Sequence, residues 1–125
     1  MKVLEGVQVI DFTQLLPGPA ATRLLADFGA DVIKIEPPGG EATRRSGPFS
    51  EGQSSVFTEL NRGKRSVIAD LRNERERACV MALCASADVV IEGFRPGVMQ
   101  RLGLGFAELS KRNRRTGHWG SGPAP

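Results

Sequence analysis

The sequence has few residues that bind metal ions and no segment suited to crossing a membrane. Its 125 residues include one His, and its two cysteines, Cys79 and Cys84, do not form a CxxC pair. A structural zinc site would therefore have too few ligands. No apolar run reaches the roughly 18 residues of a transmembrane helix, and the first residues lack the order of a secretory signal. These absences predict a cytoplasmic protein without a metal or a membrane partner.

The two cysteines are also poorly placed to pair with each other. They lie five positions apart in a predicted helix, which puts them about 140° apart around an axis with roughly 3.6 residues per turn. We predict that both thiols are small, buried apolar side chains rather than ligands or disulfide partners.

The positive net charge is confined to the end of the chain. The formal charge is +3, but residues 1–100 contain 12 basic and 13 acidic side chains, whereas residues 101–125 contain five basic residues and only Glu108 as an acid. Such a tail attracts phosphate without specificity, and no series of aromatic side chains accompanies it for stacking on bases. We therefore predict that nucleic acid is not a partner.

Apolar runs and turn residues predict alternating strands and helices over residues 1–111. Strands are predicted at 7–10, 31–36, 66–71 and 88–92, and helices at about 19–28, 74–87, 96–102 and 106–111. The segment 37–63 is predicted to be a long loop with one helical turn. The strands are continuously apolar, which is typical of an open, mostly parallel α/β sheet with helices on both faces. Four strands make a small sheet, so we expect it to be incomplete. Residues 112–125 have no apolar period and are predicted to be a disordered basic tail.

Parallel strands bring four polar or glycine-containing segments to one edge of such a sheet. Ligands of open α/β sheets bind beyond the carboxyl ends of the strands. The segments predicted to meet there are Asp11 to Pro19, Glu36 to Gly40, Ala69 to Arg72, and Glu92 to Arg101. Their composition suits a ligand that carries phosphate.

The first of these loops does not have the pattern of a dinucleotide site. Glu36 follows Gly18 by 18 residues, a spacing similar to that of a ribose-binding acid, but the turn lacks GxGxxG. We interpret Glu36 as a solvated carboxylate near Lys34. Gly18 either relieves a tight turn or lets a ligand approach the backbone. We expect Asp11 to bond the amides of the loop that follows it.

A basic group precedes the third predicted strand. The sequence NRGKRS, residues 61–66, contains Arg62, Lys64 and Arg65. Such a group is either solvated or binds the phosphates of a nucleotide-like cofactor. Arg95 and Arg101 add cations near the same edge. His118 lies in the predicted tail without a partner, so we do not assign it a catalytic role.

Three blocks of sequence together resemble a known family. They are DFTQLLPGPAATRLLADFGADVIKIEPPGG, NRGKRSVIADLR and ADVVIEGFRPGVMQRLGLGFAEL, and the resemblance covers residues 4–110. In order and spacing they are similar to the start of the family III CoA-transferases of the CaiB/BaiF type. That family includes formyl-CoA transferase, the carnitine CoA-transferase and α-methylacyl-CoA racemase.

The resemblance implies a Rossmann-like domain that binds coenzyme A and two subunits interlocked as a homodimer. It also implies transfer of CoA between carboxylic acids through anhydride and thioester intermediates on a catalytic Asp. The residues expected near CoA are Leu16, Pro17, Ala69, Asp70, Leu71, Arg72, Gly93, Phe94, Arg95 and Arg101.

The chain departs from the family pattern in three places. Leu16 replaces the Gln that formyl-CoA transferases carry, which argues against formyl or oxalyl specificity. The catalytic Asp of the transferases and the catalytic His and Asp of the racemase lie downstream of this chain, so no catalytic residue is assigned. The match also ends near Arg112, which suggests a frameshift or a truncated gene, with residues 1–111 a partial CoA-binding domain.

Four functions are open at this point. The first is a truncated CoA-transferase that is inactive alone. The others are a fragment of a 2-methylacyl-CoA racemase, a CoA-binding module without catalysis, and an aggregating remnant with exposed apolar surface.

Overall fold

The computed structural model describes residues 2–120 and confirms the predicted open parallel α/β sheet. The strands are β1 (Gln8–Asp11), β2 (Asp31–Glu36), β3 (Phe49–Ser50), β4 (Gln53–Ser54), β5 (Arg65–Ile68), β6 (Val89–Ile91) and β7 (Gly117–Trp119). The helices are α1 (Pro17–Asp27), α2 (Ser55–Asn61), α3 (Glu74–Ser86), α4 (Val98–Arg101) and α5 (Phe106–Arg112). Five strands form the main sheet in the order β5-β2-β1-β6-β7, and each neighbouring pair is parallel. Within residues 2–120, no helix is long and apolar enough to cross a membrane.

Alternation along the central strands supplies an apolar core on each face of the sheet. On one face Ile10 and Ile33 pack in a cluster with Val80 and Cys84 of α3. On the other face Val9 and Val32 belong to a second cluster, against which Leu25 of α1 packs. Successive residues of a strand point to opposite faces. Both faces are therefore covered by helices, as the apolar strands indicated.

The long segment between β2 and β5 contains more structure than predicted. We expected one helical turn in residues 37–63, but a 3-10 turn (Ala42–Arg45), the antiparallel hairpin of β3 and β4, and α2 all lie there. The hydroxyl of Ser54 accepts a hydrogen bond from the amide of Phe57 at 3.2 Å, which caps the start of α2. A serine cap of this kind satisfies one of the free amides of a helix's first turn.

Part of the segment predicted to be a disordered tail, residues 112–120, contains regular structure. α5 includes Arg112, and β7 pairs in parallel with β6 through Val89–Gly117 and Ile91–Trp119. The physical reason is that β6 would otherwise leave its outer backbone groups unpaired. The amide of Gly117 donates to the carbonyl of Asp88 at 2.8 Å. The remainder of the predicted tail, 121–125, lies outside the described residues.

The two cysteines differ in their surroundings. Both are free thiols, as predicted, but Cys79 is exposed and Cys84 is buried. The prediction of burial is therefore wrong for Cys79, because α3 turns its Val80 and Cys84 side toward the sheet. Burial raises the pKa of the Cys84 thiol to about 12, so Cys84 is an inert apolar side chain.

Asn73 caps the start of α3, and substitution of this residue tests its contribution to stability. Asn73 accepts a hydrogen bond from the amide of Glu76 at 3.1 Å, and Glu74 and Glu76 lie in the first turn. We expect Asn73→Ala to lower the free energy of unfolding by about 1 kcal/mol in urea denaturation, because one helix amide loses its partner. Arg75→Ala, at an exposed position of the same turn, should change it by less than about 0.5 kcal/mol. Equal effects of the two substitutions would contradict a capping role for Asn73.

Candidate functional site

A candidate ligand site lies where the direction of the chain across the sheet reverses. From β1 the chain builds outward to β2 and β5, and then returns to place β6 and β7 on the other side of β1. The loops after β1 and β6 therefore diverge at the carboxyl edge, which is where open α/β sheets bind ligands. A cavity of ≈ 540 Å³ occupies this position. Gln14, Pro17, Phe94 and Trp119 are among its lining residues.

A second cavity continues along the same edge toward β5. It measures ≈ 290 Å³ and is bordered by Pro37, Pro38 and Ala69 to Arg72. Phe12, Gln14 and Phe94 line both cavities. The rings of Phe12 and Phe94 lie 6.3 Å apart, tilted by 55°. The two cavities therefore share one aromatic wall, and we call them together the edge groove.

Seven of the ten predicted CoA-site residues line the edge groove. Pro17, Gly93 and Phe94 line its larger part, and Ala69, Asp70, Leu71 and Arg72 line its smaller part. Whether these residues bind CoA remains a prediction, but the fold brings them together from three separate loops.

Leu16, Arg95 and Arg101 do not line the edge groove. Leu16 precedes the first residue of α1, and 62% of its surface is exposed. Arg95 is exposed on the loop after β6. Arg101 lies at a separate depression between α3 and the end of α4, beside Glu74 and Arg77. The order of residues along the chain could not show this separation, because α4 redirects the backbone after Gly97.

Asp11 has the structural role that its position at a strand end suggested. Its carboxylate is fully buried. One oxygen accepts the amide of Thr13 at 2.8 Å, and the other accepts the hydroxyl of Thr22 at 2.6 Å and the ammonium of Lys64 at 3.1 Å. Asp11 thus ties the end of β1 to its own loop, to α1 and to the segment before β5.

The basic group at residues 61–66 has its charges engaged within the fold. The Lys64 side chain is 2% exposed and also donates to Asn61 and to the carbonyl of Pro19. Burial lowers the pKa of Lys64, and the neighbouring Asp11 opposes this shift. Arg65 pairs with Asp31, which begins β2 at the opposite edge of the sheet from the groove. For Lys64, both uses inferred from the sequence, a solvated charge and a phosphate ligand, are replaced by a structural ion pair.

Glu36 is not the solvated carboxylate that we predicted. It is 1% exposed and accepts two hydrogen bonds from the guanidinium of Arg44, each at 2.7 Å. The amide of Glu41 donates to it at 2.8 Å, and the hydroxyl of Ser66 also donates to it. Burial alone would raise the pKa of Glu36, but these donors outweigh it and lower the pKa from 4.5 to about 2. Lys34, the expected neighbour, pairs with Glu41 instead.

The Lys34–Glu41 pair is a feature that sequence reasoning missed. The two side chains are 1% and 0% exposed, and the ammonium lies 2.7 Å from a Glu41 carboxylate oxygen. Lys34 sits on a buried strand and Glu41 in a Gly- and Pro-rich loop, so no spacing rule connects them. The signal that could have indicated an inward-pointing charge was a lysine between Ile33 and Ile35, inside a strand that is otherwise apolar at its centre.

Gly18 is required by close packing rather than by an unusual backbone angle. A Cβ atom at this position would overlap the side chain of Thr13. The missing side chain therefore lets the loop after β1 fold against the first turn of α1. Gly18 also borders the larger cavity, so a second role in admitting a ligand stays a prediction.

His118 lies near a carboxylate, but its buried Nε2 atom makes no hydrogen bond within the described residues. It lies on β7 with its Nε2 atom 3.7 Å from a carboxylate oxygen of Glu92, and both side chains are 10% exposed. Its ring centre lies 6.1 Å from that of Phe106. Across residues 2–120, no group of three His, Cys, Asp or Glu side chains is arranged to hold a metal ion.

The fold and the edge groove define an open parallel α/β domain with a groove at the switch point of its sheet. Comparison with known proteins gives the family. The sequence model of CoA-transferase family III matches residues 4–116, and the chain belongs to that family.

The most informative relatives are bacterial CoA-transferases. The acetyl-CoA:oxalate CoA-transferase of Acetobacter aceti is 49% identical over 112 residues, which cover 89% of this chain and 29% of that protein. A probable fatty acyl-CoA transferase of Mycobacterium tuberculosis is 45% identical over 131 aligned positions, covering 98% of this chain and 33% of the relative. The chain thus spans about a third of the length of the curated relatives it matches.

Solved structures agree with the fold. A crystal structure of the Mycobacterium tuberculosis protein superimposes with a TM-score of 0.89 at 43% identity, over 98% of this chain and 36% of the other. A CaiB/BaiF family protein from Brucella suis gives a TM-score of 0.90 at 39% identity, over 98% of this chain and 35% of the other.

Proposed function

We propose that this chain is the CoA-binding part of a CoA-transferase that moves CoA between carboxylic acids, and that it is inactive alone. The observation that carries the proposal is the edge groove, in which three loops place seven residues predicted from the family resemblance. Acyl-CoA and carboxylic acid substrates and a cytoplasmic location form part of the same proposal. The chemistry itself would depend on a catalytic Asp that the resemblance places beyond this chain.

The groove offers the surfaces that a CoA molecule needs. Phe94 lies on the wall shared by the two cavities, where an aromatic ring can pack against an adenine ring or a pantetheine chain. Arg72 lies at the rim, with 87% of its side chain exposed, where a guanidinium can pair with phosphate. Asp70 accepts hydrogen bonds from the amide and side chain of Arg72, and these lower the pKa of Asp70. Asp70 thus holds the guanidinium near the groove.

CoA transfer is favoured over racemisation by the names of the relatives. The acetyl-CoA:oxalate, succinyl-CoA:mesaconate and formyl-CoA:oxalate CoA-transferases are 49%, 42% and 44% identical to this chain. Each name pairs an acyl-CoA with a carboxylic acid. Oxalate is named for two of them, so we do not take Leu16 to exclude oxalate as the acid.

Exposed apolar side chains at the mouth of the groove support a larger assembly. Leu15, Leu16 and Trp119 are 58%, 62% and 70% exposed. Apolar clusters of this kind are usually covered by another chain or segment. We propose that the rest of a full-length transferase, including the predicted interlocked homodimer, covers this surface.

Calorimetric titration of CoA into the folded chain tests the proposal. We expect saturable binding that weakens roughly tenfold in Arg72→Ala, because a charge-assisted contact to phosphate is lost. Arg112→Ala removes an exposed arginine from α5, away from the groove, and should leave the affinity unchanged. A chain that is folded by circular dichroism but shows no saturable binding would contradict the proposal.

A further inference from the structure

Two buried side chains form hydrogen bonds to the backbone of the loop after β1. The ammonium of Lys34 donates to the carbonyl of Thr13 at 2.8 Å. The carboxylate of Glu41 accepts the amide of Leu15 at 2.7 Å. Lys34 and Glu41 pair with each other at 2.7 Å. The two side chains therefore bind the backbone on both sides of Gln14.

These hydrogen bonds occur beside a backbone conformation that leucine rarely adopts. Leu15 has φ of 69°, in the left-handed region. For a residue other than glycine this conformation costs about 1 kcal/mol or more, and it persists only when the surroundings enforce it. The Leu15 side chain is 58% exposed, so packing around it does not supply the constraint. The amide of Leu15 does have a partner, the buried carboxylate of Glu41.

The loop residues between and beside these hydrogen bonds line the edge groove. Gln14 lines both of its cavities, and Leu15 lines the larger one. Glu41 itself is fully buried, lines neither cavity and is further fixed by the hydroxyl of Thr43 at 3.0 Å. Its effect on a ligand would therefore act through the loop.

We propose that Lys34 and Glu41 are positioning residues that fix the Thr13–Leu15 loop in the conformation that binds CoA. The inference rests on the proposed function for the identity of the ligand. Its structural content, a buried ion pair that imposes the loop conformation, does not depend on that identity.

The double variant Lys34→Met/Glu41→Leu isolates this role. It replaces both charged groups by apolar side chains of similar size, which buried ion pairs often tolerate without loss of the fold. The chain should keep its circular dichroism spectrum. Both bonds to the loop are removed, and Leu15 is free to leave its left-handed conformation.

Two measurements on the double variant test whether Lys34 and Glu41 fix the loop conformation. Amide hydrogen exchange followed by NMR should show lost protection at Leu15, with the strands β1 and β2 unchanged. Calorimetry should show CoA affinity weaker by roughly tenfold, as expected when only about a tenth of the molecules hold the binding conformation. Trp119, the single tryptophan, lines the larger cavity and gives a second, fluorescent signal of binding.

Val80→Ala serves as the stability control. Val80 is 1% exposed in the core on α3, so its truncation lowers the melting temperature but leaves both hydrogen bonds to the loop in place. It should leave Leu15 protected and the CoA affinity within about twofold. If it weakens CoA binding as much as the double variant does, the effect is one of general stability and the proposal is wrong.

The outcomes separate the two proposals. Unchanged protection at Leu15 in the double variant overturns the positioning role, whether or not the chain binds CoA. Lost protection with unchanged CoA affinity overturns it as well, because the loop conformation would then not matter to the ligand. Absence of CoA binding in the unmodified chain contradicts the proposed function alone, and the exchange data still decide the structural role of the pair.

Discussion

Replacing Asp11 by alanine is expected to lower the free energy of unfolding by about 3–5 kcal/mol, because it leaves a buried cation unpaired. The Lys64 ammonium, whose side chain is 2% exposed, loses its anionic partner. The substitution also removes the acceptor of the Thr13 amide and the Thr22 hydroxyl. Small domains are stable by only about 5–15 kcal/mol in total. The variant should therefore unfold at much lower urea concentration or be largely unfolded.

Asp31→Ala provides the matched control. Asp31 is also an aspartate of a sheet strand in an ion pair, but its partner Arg65 and Asp31 itself are 65% and 45% exposed. Exposed pairs contribute about 0–1 kcal/mol, because water screens both charges. Comparable losses in the two variants would show that burial of the Asp11–Lys64 pair is not what matters.

A second variant keeps the test decisive if Asp11→Ala does not fold. Lys64→Met in the Asp11→Ala background removes the unpaired cation. We expect it to recover part of the lost stability, since an apolar side chain is accepted where an uncompensated charge is not. A double variant no more stable than Asp11→Ala would contradict this explanation. The measurement is urea denaturation followed by circular dichroism.

Stability near neutral pH is expected to depend strongly on Glu36. Its pKa in the folded chain is about 2, against an ordinary value of 4.5. A carboxylate with a lowered pKa stabilises the folded state above its ordinary pKa, and this contribution is lost as the pH falls toward the lowered value. A difference of this size corresponds to roughly 3 kcal/mol at neutral pH.

Urea denaturation of the wild type and Glu36→Gln between neutral pH and about pH 3 measures this contribution. The wild type should be more stable at neutral pH, and the difference should shrink steadily below the ordinary pKa of the carboxyl group. Glu108→Gln is the control, because Glu108 forms an exposed pair with Lys111 on α5. It should differ little from the wild type at any pH. A Glu36→Gln deficit that is independent of pH would indicate lost packing instead of lost charge.

The elements of the sheet could be predicted from local sequence because their signals are local. The apolar runs at Val9 and Val32 and the Asn73 cap each depend on residues a few positions apart. The first helix was predicted at about 19–28, whereas α1 begins two residues earlier, at Pro17. The parallel arrangement follows because helices connect successive strands. The third strand was predicted at 66–71 and extends too far, since β5 ends at Ile68, and nothing in the side chains of Ala69 to Leu71 marks that end.

β7 was missed because its pairing partner is distant in sequence. Gly117, His118 and Trp119 have no apolar alternation, and their strand exists because β6 offers unpaired backbone groups. The same limitation affected the charged residues. Charged side chains are usually solvated, yet four of them are buried here and pair with a residue from another segment: Lys34, Glu36, Glu41 and Lys64.

The sequence by itself determined the fold class, the family and the segments that reach the carboxyl edge of the sheet. Periodicity, turn residues and motif order carry that information along the chain. Tertiary structure decided which of those segments share a groove, why Arg101 lies apart from it, and which charges serve the fold. The physical reason is that burial and ion pairing are properties of contacts between distant residues. A lysine such as Lys34 is solvated or structural according to what the fold places within 3 Å of its ammonium.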